Sequence, residues 1–114
     1  MSSSELSGRI ALVTGGGRGI GKGIALALAG AGCDVAVSYV SREAEARATA
    51  AAIEALGRRA FVMRGDVSKS ADVTALVTAV ETALGPVDIL VNNAGRAAFE
   101  SIDQMTEASF NETL

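Results

Sequence analysis

Residues 13–23, VTGGGRGIGKG, set six glycines, one arginine and one lysine between two apolar segments. The run before them, Arg9–Val13 (RIALV), is short and apolar, the pattern of a strand buried on both faces. From Gly19 the period changes: Ile20, Ile24, Ala27, Leu28 and Ala31 recur at helical spacing, and Gly30 and Gly32 supply the stop. A glycine-rich turn between a buried strand and a helix start gathers free N–H groups and the positive end of the helix dipole, which makes it an anion site. A side chain at Gly15 or Gly19 would hold a pyrophosphate off the backbone, and one at Gly21 would push the helix off its strand. The plain alternative is an unoccupied flexible turn, but each extra glycine costs chain entropy that a simple connection avoids.

The same alternation continues. DVAVSYV (34–40) reads as a second strand, and Ser41 as the cap of an alanine-rich helix that ends near Leu56 with Gly57 as terminator. Glu43 with Arg47, and Glu54 with Arg58, have the spacing of ion pairs on its exposed side. RAFVMRG (59–65) reads as a third strand. Ser68 or Ser70 can cap the next helix, whose Val73, Leu76, Val77, Val80, Ala83 and Leu84 form one stripe. Gly85–Pro86 ends it, VDILVNN (87–93) is a fourth strand, and residues 101–114 read as helical late on. Strand and helix alternating over short links imply an α/β architecture, a parallel sheet covered by helices on both faces. No repeat, low-complexity tract or linker interrupts it, so one domain, or part of one, is expected.

Composition narrows the function. The chain has 114 residues, 49 % hydrophobic but only 4 % aromatic, so its core must be built from small aliphatic residues. Net charge is −3 and the ten basic residues are scattered. That excludes the concentrated positive field a nucleic-acid groove or an anionic membrane patch requires. There is no histidine, which removes the commonest general base and transition-metal ligand. Cys33 is the only cysteine and reads as a buried structural thiol. The opening MSSSELSGRIALV is neither signal peptide nor membrane span, so a cytoplasmic protein is expected.

Two phosphate motifs compete for the glycines. The P-loop pattern matches Gly16 to Gly21 and Lys22, then fails at Gly23, which has no hydroxyl for magnesium. Asp88 opens its strand instead of closing it, which further weakens a triphosphatase. What stands here is Thr14-Gly15-x-x-x-Gly19-Ile20-Gly21, followed by RGDVS at Arg64–Ser68 and NNAG at Asn92–Gly95. In that order and spacing the three motifs closely resemble the short-chain dehydrogenase/reductase family, from about Gly8 to the last residue. The resemblance implies a Rossmann-type doubly wound parallel sheet of strand order 3-2-1-4, truncated after about four strands, with ligands bound at the carboxyl ends of the strands. It implies that Thr14, Gly15, Arg18, Gly19, Ile20 and Gly21 hold pyrophosphate and ribose. Asp66 would take the adenine amino group and Val67 lend backbone contact, while Asn92, Ala94 and Gly95 line the path to the nicotinamide. The plain alternative reads Asp66 as a helix-entry carboxylate and Asn92–Asn93 as a polar turn.

An acidic residue about 20 positions after the glycines would bind a ribose 2′-hydroxyl and repel a 2′-phosphate. Tyr39 stands there instead. Arg18 in the loop and Ser41–Arg42 after the second strand offer two guanidiniums and a hydroxyl to a phosphate. NADP is therefore expected over NAD.

Relatives of this kind also carry a later Ser and a Tyr-x-x-x-Lys, in which the lysine lowers the pKa of a tyrosine acting as acid/base. Tyr39 is the only tyrosine here, Glu43 stands four residues on, and the only lysines are Lys22 and Lys69. Asn111 follows Phe110 and reads as an ordinary helix residue, about six positions short of the family's functional Asn. Residues 1–114 are thus expected to be the N-terminal part of an NAD(P)-binding Rossmann domain without its catalytic part, in a protein resembling 3-oxoacyl-(acyl-carrier-protein) reductases. The complete enzyme would reduce a small-molecule or acyl-carrier-bound ketone and form a homotetramer. The fourth strand would be a bare apolar edge, leaving the 114 residues marginal or self-associating. A non-catalytic dinucleotide-binding module is the rival reading, the triphosphatase a weaker one.

Overall fold

The structure, a computed structural model, describes residues 6–16, 19–93 and, for the backbone, 99–101. Along the chain stand β1 (Ile10–Thr14), α1 (Gly19–Gly30), β2 (Asp34–Tyr39), α2 (Glu43–Ala55), β3 (Ala60–Arg64), α3 (Ser70–Ala83), β4 (Ile89–Asn92) and β5 (Phe99–Ser101). They form one sheet in the order β3-β2-β1-β4-β5. The first four strands are mutually parallel; β5 runs antiparallel to β4, with Val91 opposite Phe99.

Alternation along the strands divides the core into two layers. Ala11, Val13, Val35, Val37, Ile89 and Val91 face Ala25, Leu28 and Ala29 of α1 and Ala46 and Ile53 of α2. Ile10, Leu12, Ala36 and Leu90 face the other way, onto Leu76 and Val80 of α3. Alanines on α1 and α2 bring those helices close to the sheet, so a core with almost no aromatic residues still excludes water. Cys33 is buried in the first layer, and burial pushes its thiol pKa up.

Four local expectations are corrected. Ser41 does not cap α2: the cap position is Arg42, one residue later, and no side chain serves it. Neither Ser68 nor Ser70 caps α3, because Lys69 holds that position, Ser70 is already helical and the Ser68 hydroxyl donates to Asp66. Glu43 and Arg47 do pair, at 2.8 Å. Glu54 and Arg58 do not; Arg58 instead reaches Asp34 at 3.0 Å, since Gly57 turns the chain out of the helix with φ +84°. Finally, β4 is not a bare edge. Ser101 belongs to β5, which covers it, and residues 102–114, with Asn111, lie outside the described residues.

Candidate functional site

The site is assembled at the carboxyl ends of the parallel strands, where β1 and β4 lie side by side with Thr14 opposite Asn92. A single hydroxyl joins the two strand ends. Thr14 Oγ1 donates toward Asn92 Oδ1 at 3.1 Å and Val91 O at 3.3 Å, and accepts the Asn93 amide at 2.9 Å. The Asn93 side chain then donates its Nδ2 to Gly15 O at 3.1 Å. On the other side, the Gly15 amide donates to Ser38 O of β2 at 3.0 Å. The turn leaving β1 is therefore fastened to both neighbouring strands.

Its glycines have separate physical reasons. Gly15 and Gly19 sit at φ +65° and +61°, the left-handed region that side chains disfavour. A Cβ on Gly21 would run into the Gly15 carbonyl and come within 2.6 Å of Asn93 Nδ2. The first turn of α1 thus packs directly on the strap formed by Gly15 and Asn93. That turn carries no acidic side chain to offset the positive end of its dipole. Ile20, at its start, is 70 % exposed. Gly17 and Arg18 lie outside the described residues.

The neighbouring strand ends add two further groups. After β2, Tyr39 packs against the α1–α2 layer of the core, whereas Ser41 and Arg42 are exposed. Arg42 Nη1 lies 3.4 Å from Glu45 Oε2, so its charge is partly engaged. After β3, Gly65 leaves room for Leu76, which a Cβ there would meet at 2.8 Å. Asp66 follows, with Oδ1 accepting the Ser68 hydroxyl at 2.6 Å and the Ser68 amide at 3.0 Å. These bonds, the hydroxyl first, hold its carboxyl below the usual aspartate range and keep it an acceptor. The Asp66 amide itself donates to Asp72 Oδ2 at 2.9 Å, so α3 holds the loop. Val67 is half-buried against the α3 layer.

Thr14, Gly15, Gly21 and Asn92 are brought into one cluster. Asn92 is buried with its carbonyl oxygen turned to Thr14, and thereby serves the β1–β4 seam. Ala94 and Gly95 lie outside the described residues. Sequence reasoning missed Asn93 as the strap on Gly15, Asp72 as the anchor of the Asp66 loop, and Arg64, whose Nε donates to Val40 O at 3.0 Å. An acid in the first turn of α3 was a signal for Asp72; the other two depend on strand register.

A concavity of about 370 Å³ lies elsewhere, between α2 and β3, lined by Arg47, Ala50, Ala51, Glu54, Ala60, Phe61 and Val62, and includes none of these groups. Among the described residues no cluster of His, Cys, Asp or Glu is suited to a metal ion, and no helix is long and apolar enough to cross a membrane.

Comparison with known proteins places this geometry. The family model described as short chain dehydrogenase matches residues 9–114. The hydroxynaphthalene reductase arp2 of Aspergillus fumigatus is 42 % identical over 109 residues, covering 96 % of this chain and 40 % of that protein. The short-chain dehydrogenase/reductase homolog YusS of Bacillus subtilis is 44 % identical over 101 residues, covering 89 % of this chain and 93 % of that one. A short chain dehydrogenase from Burkholderia cenocepacia, solved in complex with NADP, superposes with a TM-score of 0.77 at 47 % identity, over 96 % of this chain and 44 % of the other. The chain thus spans about two-fifths of the arp2 reductase but nearly the whole of YusS.

Proposed function

This chain belongs to the short-chain dehydrogenase family, and from that premise we propose that it binds NADP(H), in preference to NAD(H), across the carboxyl ends of β1 to β4. The observation that carries the reading is the Gly15 turn strapped to Asn93, with the unopposed start of α1 above it. Those residues fit a diphosphate: left-handed glycines keep side chains away from it, and the amides of Gly19, Ile20 and Gly21 are orphan donors at a helix start. When bound, the coenzyme supplies or accepts hydride. These residues bind and orient it. Thr14, Gly15, Arg18, Gly19, Ile20 and Gly21 hold pyrophosphate and ribose. Tyr39, Ser41 and Arg42 flank the 2′-position, where no carboxylate at position 39 repels a phosphate. Asp66, fixed through Ser68, accepts from the adenine amino group, and Val67 lends backbone contact. Asn92, Ala94 and Gly95 border the nicotinamide side.

Residues 1–114 are in this reading the N-terminal part of a Rossmann domain, and carry coenzyme binding alone. In the complete protein the hydride would go to a small-molecule ketone, or to a 3-oxoacyl thioester on an acyl carrier, in a homotetramer. A reducing cytoplasm suits the one free, buried Cys33.

Calorimetric titration of the chain with NADPH, NADH and Mg-ATP tests the proposal. Saturable NADPH binding, tighter than NADH and unaffected by Mg-ATP, is the expected result. Magnesium-dependent ATP binding, or heat from no dinucleotide, would overturn it.

A further inference from the structure

Arg64 is the last residue of β3 and lies opposite Tyr39 of β2. Its neighbours two and four positions back, Val62 and Ala60, pack on the α1–α2 layer, so strand alternation sends the Arg64 side chain out on that same face. There the chain passes from Tyr39 through Val40, Ser41 and Arg42 into α2. Arg64 Nε donates to Val40 O at 3.0 Å, which clamps the guanidinium against this segment. The Gly65 amide donates to Tyr39 O at 2.9 Å and fixes the base of the side chain as well. Only one of the five N–H donors of the fork is used by that contact. No carboxylate among the described residues pairs with it.

Its neighbours are differently placed. Arg42 leans on Glu45, Glu43 is taken by Arg47, and Asp66 Oδ1 accepts from Ser68, Arg64 acting on that carboxylate by its charge without pairing with it. Arg64 is therefore a pre-oriented cation beside Ser41 with free donors, the arrangement that recognises a phosphate monoester.

We propose that Arg64 is a specificity-determining residue: its free guanidinium donors hold the 2′-phosphate of NADP(H) against Ser41, and so set the preference over NAD(H). The inference rests on the coenzyme reading above. It differs from that reading in placing the discriminating charge on β3, where the Rossmann pattern does not look for it.

Dissociation constants of NADPH, NADH and 2′-AMP for the wild-type chain, Arg64→Gln and Arg64→Glu test it. Arg64→Gln is expected to weaken NADPH and 2′-AMP about tenfold or more, the loss typical of one charged hydrogen-bonding partner. NADH should stay within about twofold, since it has no phosphate for the fork to hold. Arg64→Glu should invert the preference toward NADH. Equal weakening of NADPH and NADH would show that Arg64 merely supports the Val40 loop, and would overturn the proposal, as would an unchanged ratio. Failure of the wild-type chain to bind either coenzyme would overturn the coenzyme reading itself and this inference with it.

Discussion

Gly21 and Asn93 meet at the Gly15 carbonyl. A Cβ at position 21 would meet the Gly15 carbonyl, and backbone cannot swing aside as a side chain can. Gly21→Ala is therefore expected to cost about 1–3 kcal/mol in urea unfolding, as overpacking does, and to weaken NADPH by lifting α1 from the turn. Asn93→Ala leaves Gly15 O without its donor; about 1 kcal/mol of stability should be lost. Coenzyme affinity should fall with it, because among the described residues the turn then keeps only the Gly15 bond to Ser38. A variant with unchanged affinity would show that the strap does not shape the site. The glycines were legible in sequence because chirality and Cβ contact are local facts. The roles of Asn93 and Arg64 were not, because each follows from which strand lies beside which, and in what register. Asn92 shows what motif reading leaves out: its buried side-chain oxygen accepts from Thr14 and joins the seam between β1 and β4.

At the scale of elements, the opposite end of the sheet is held by charge. Asp34 opens β2 nearly buried and accepts from Arg59 through both the amide and the guanidinium, with Arg58 Nη2 at 3.0 Å. Burial pushes its carboxyl up, but the Arg59 bonds and the two positive charges outweigh that and leave it below the ordinary 3.8. A carboxyl depressed on folding stabilises the native state at every pH above its unfolded value. That contribution is lost as pH falls below about 4 and through the folded value. Asp34→Asn should accordingly destabilise the chain by about 2 kcal/mol at pH 7, less than a fully buried pair because both arginines are partly in water. It should also flatten the acid limb of the stability profile; an unchanged limb would assign acid unfolding to other carboxylates. The helix-spacing rule that joined Glu54 to Arg58 holds only while the chain stays helical. Gly57 breaks that condition and frees Arg58 for Asp34.

For the molecule as a whole, a parallel sheet with a helix layer on each face was legible, because the period shifts between strand and helix recur without interruption; the order of the first four strands was not, and came from the family resemblance. The covering of β4 was not, since Phe99–Ser101 is only three residues long and carries no strand pattern of its own. Its pairing moves that edge outward, so that β3 and β5 are the two outer strands among the described residues. With a core of small residues in thin layers, ligand linkage should be easy to see. NADPH at one hundred times its dissociation constant is expected to stabilise the chain by about 2.7 kcal/mol, read as a rise in melting temperature that NADH at equal concentration does not match. The most direct measurement of all is a backbone amide NMR titration with NADPH. The account predicts that shifts concentrate at Gly15, Gly16, Gly19, Ile20, Gly21, Ser41, Asp66, Val67 and Asn93. Shifts confined to the groove between α2 and β3, around Arg47, Ala50 and Phe61, or no shifts at saturating coenzyme, would contradict it.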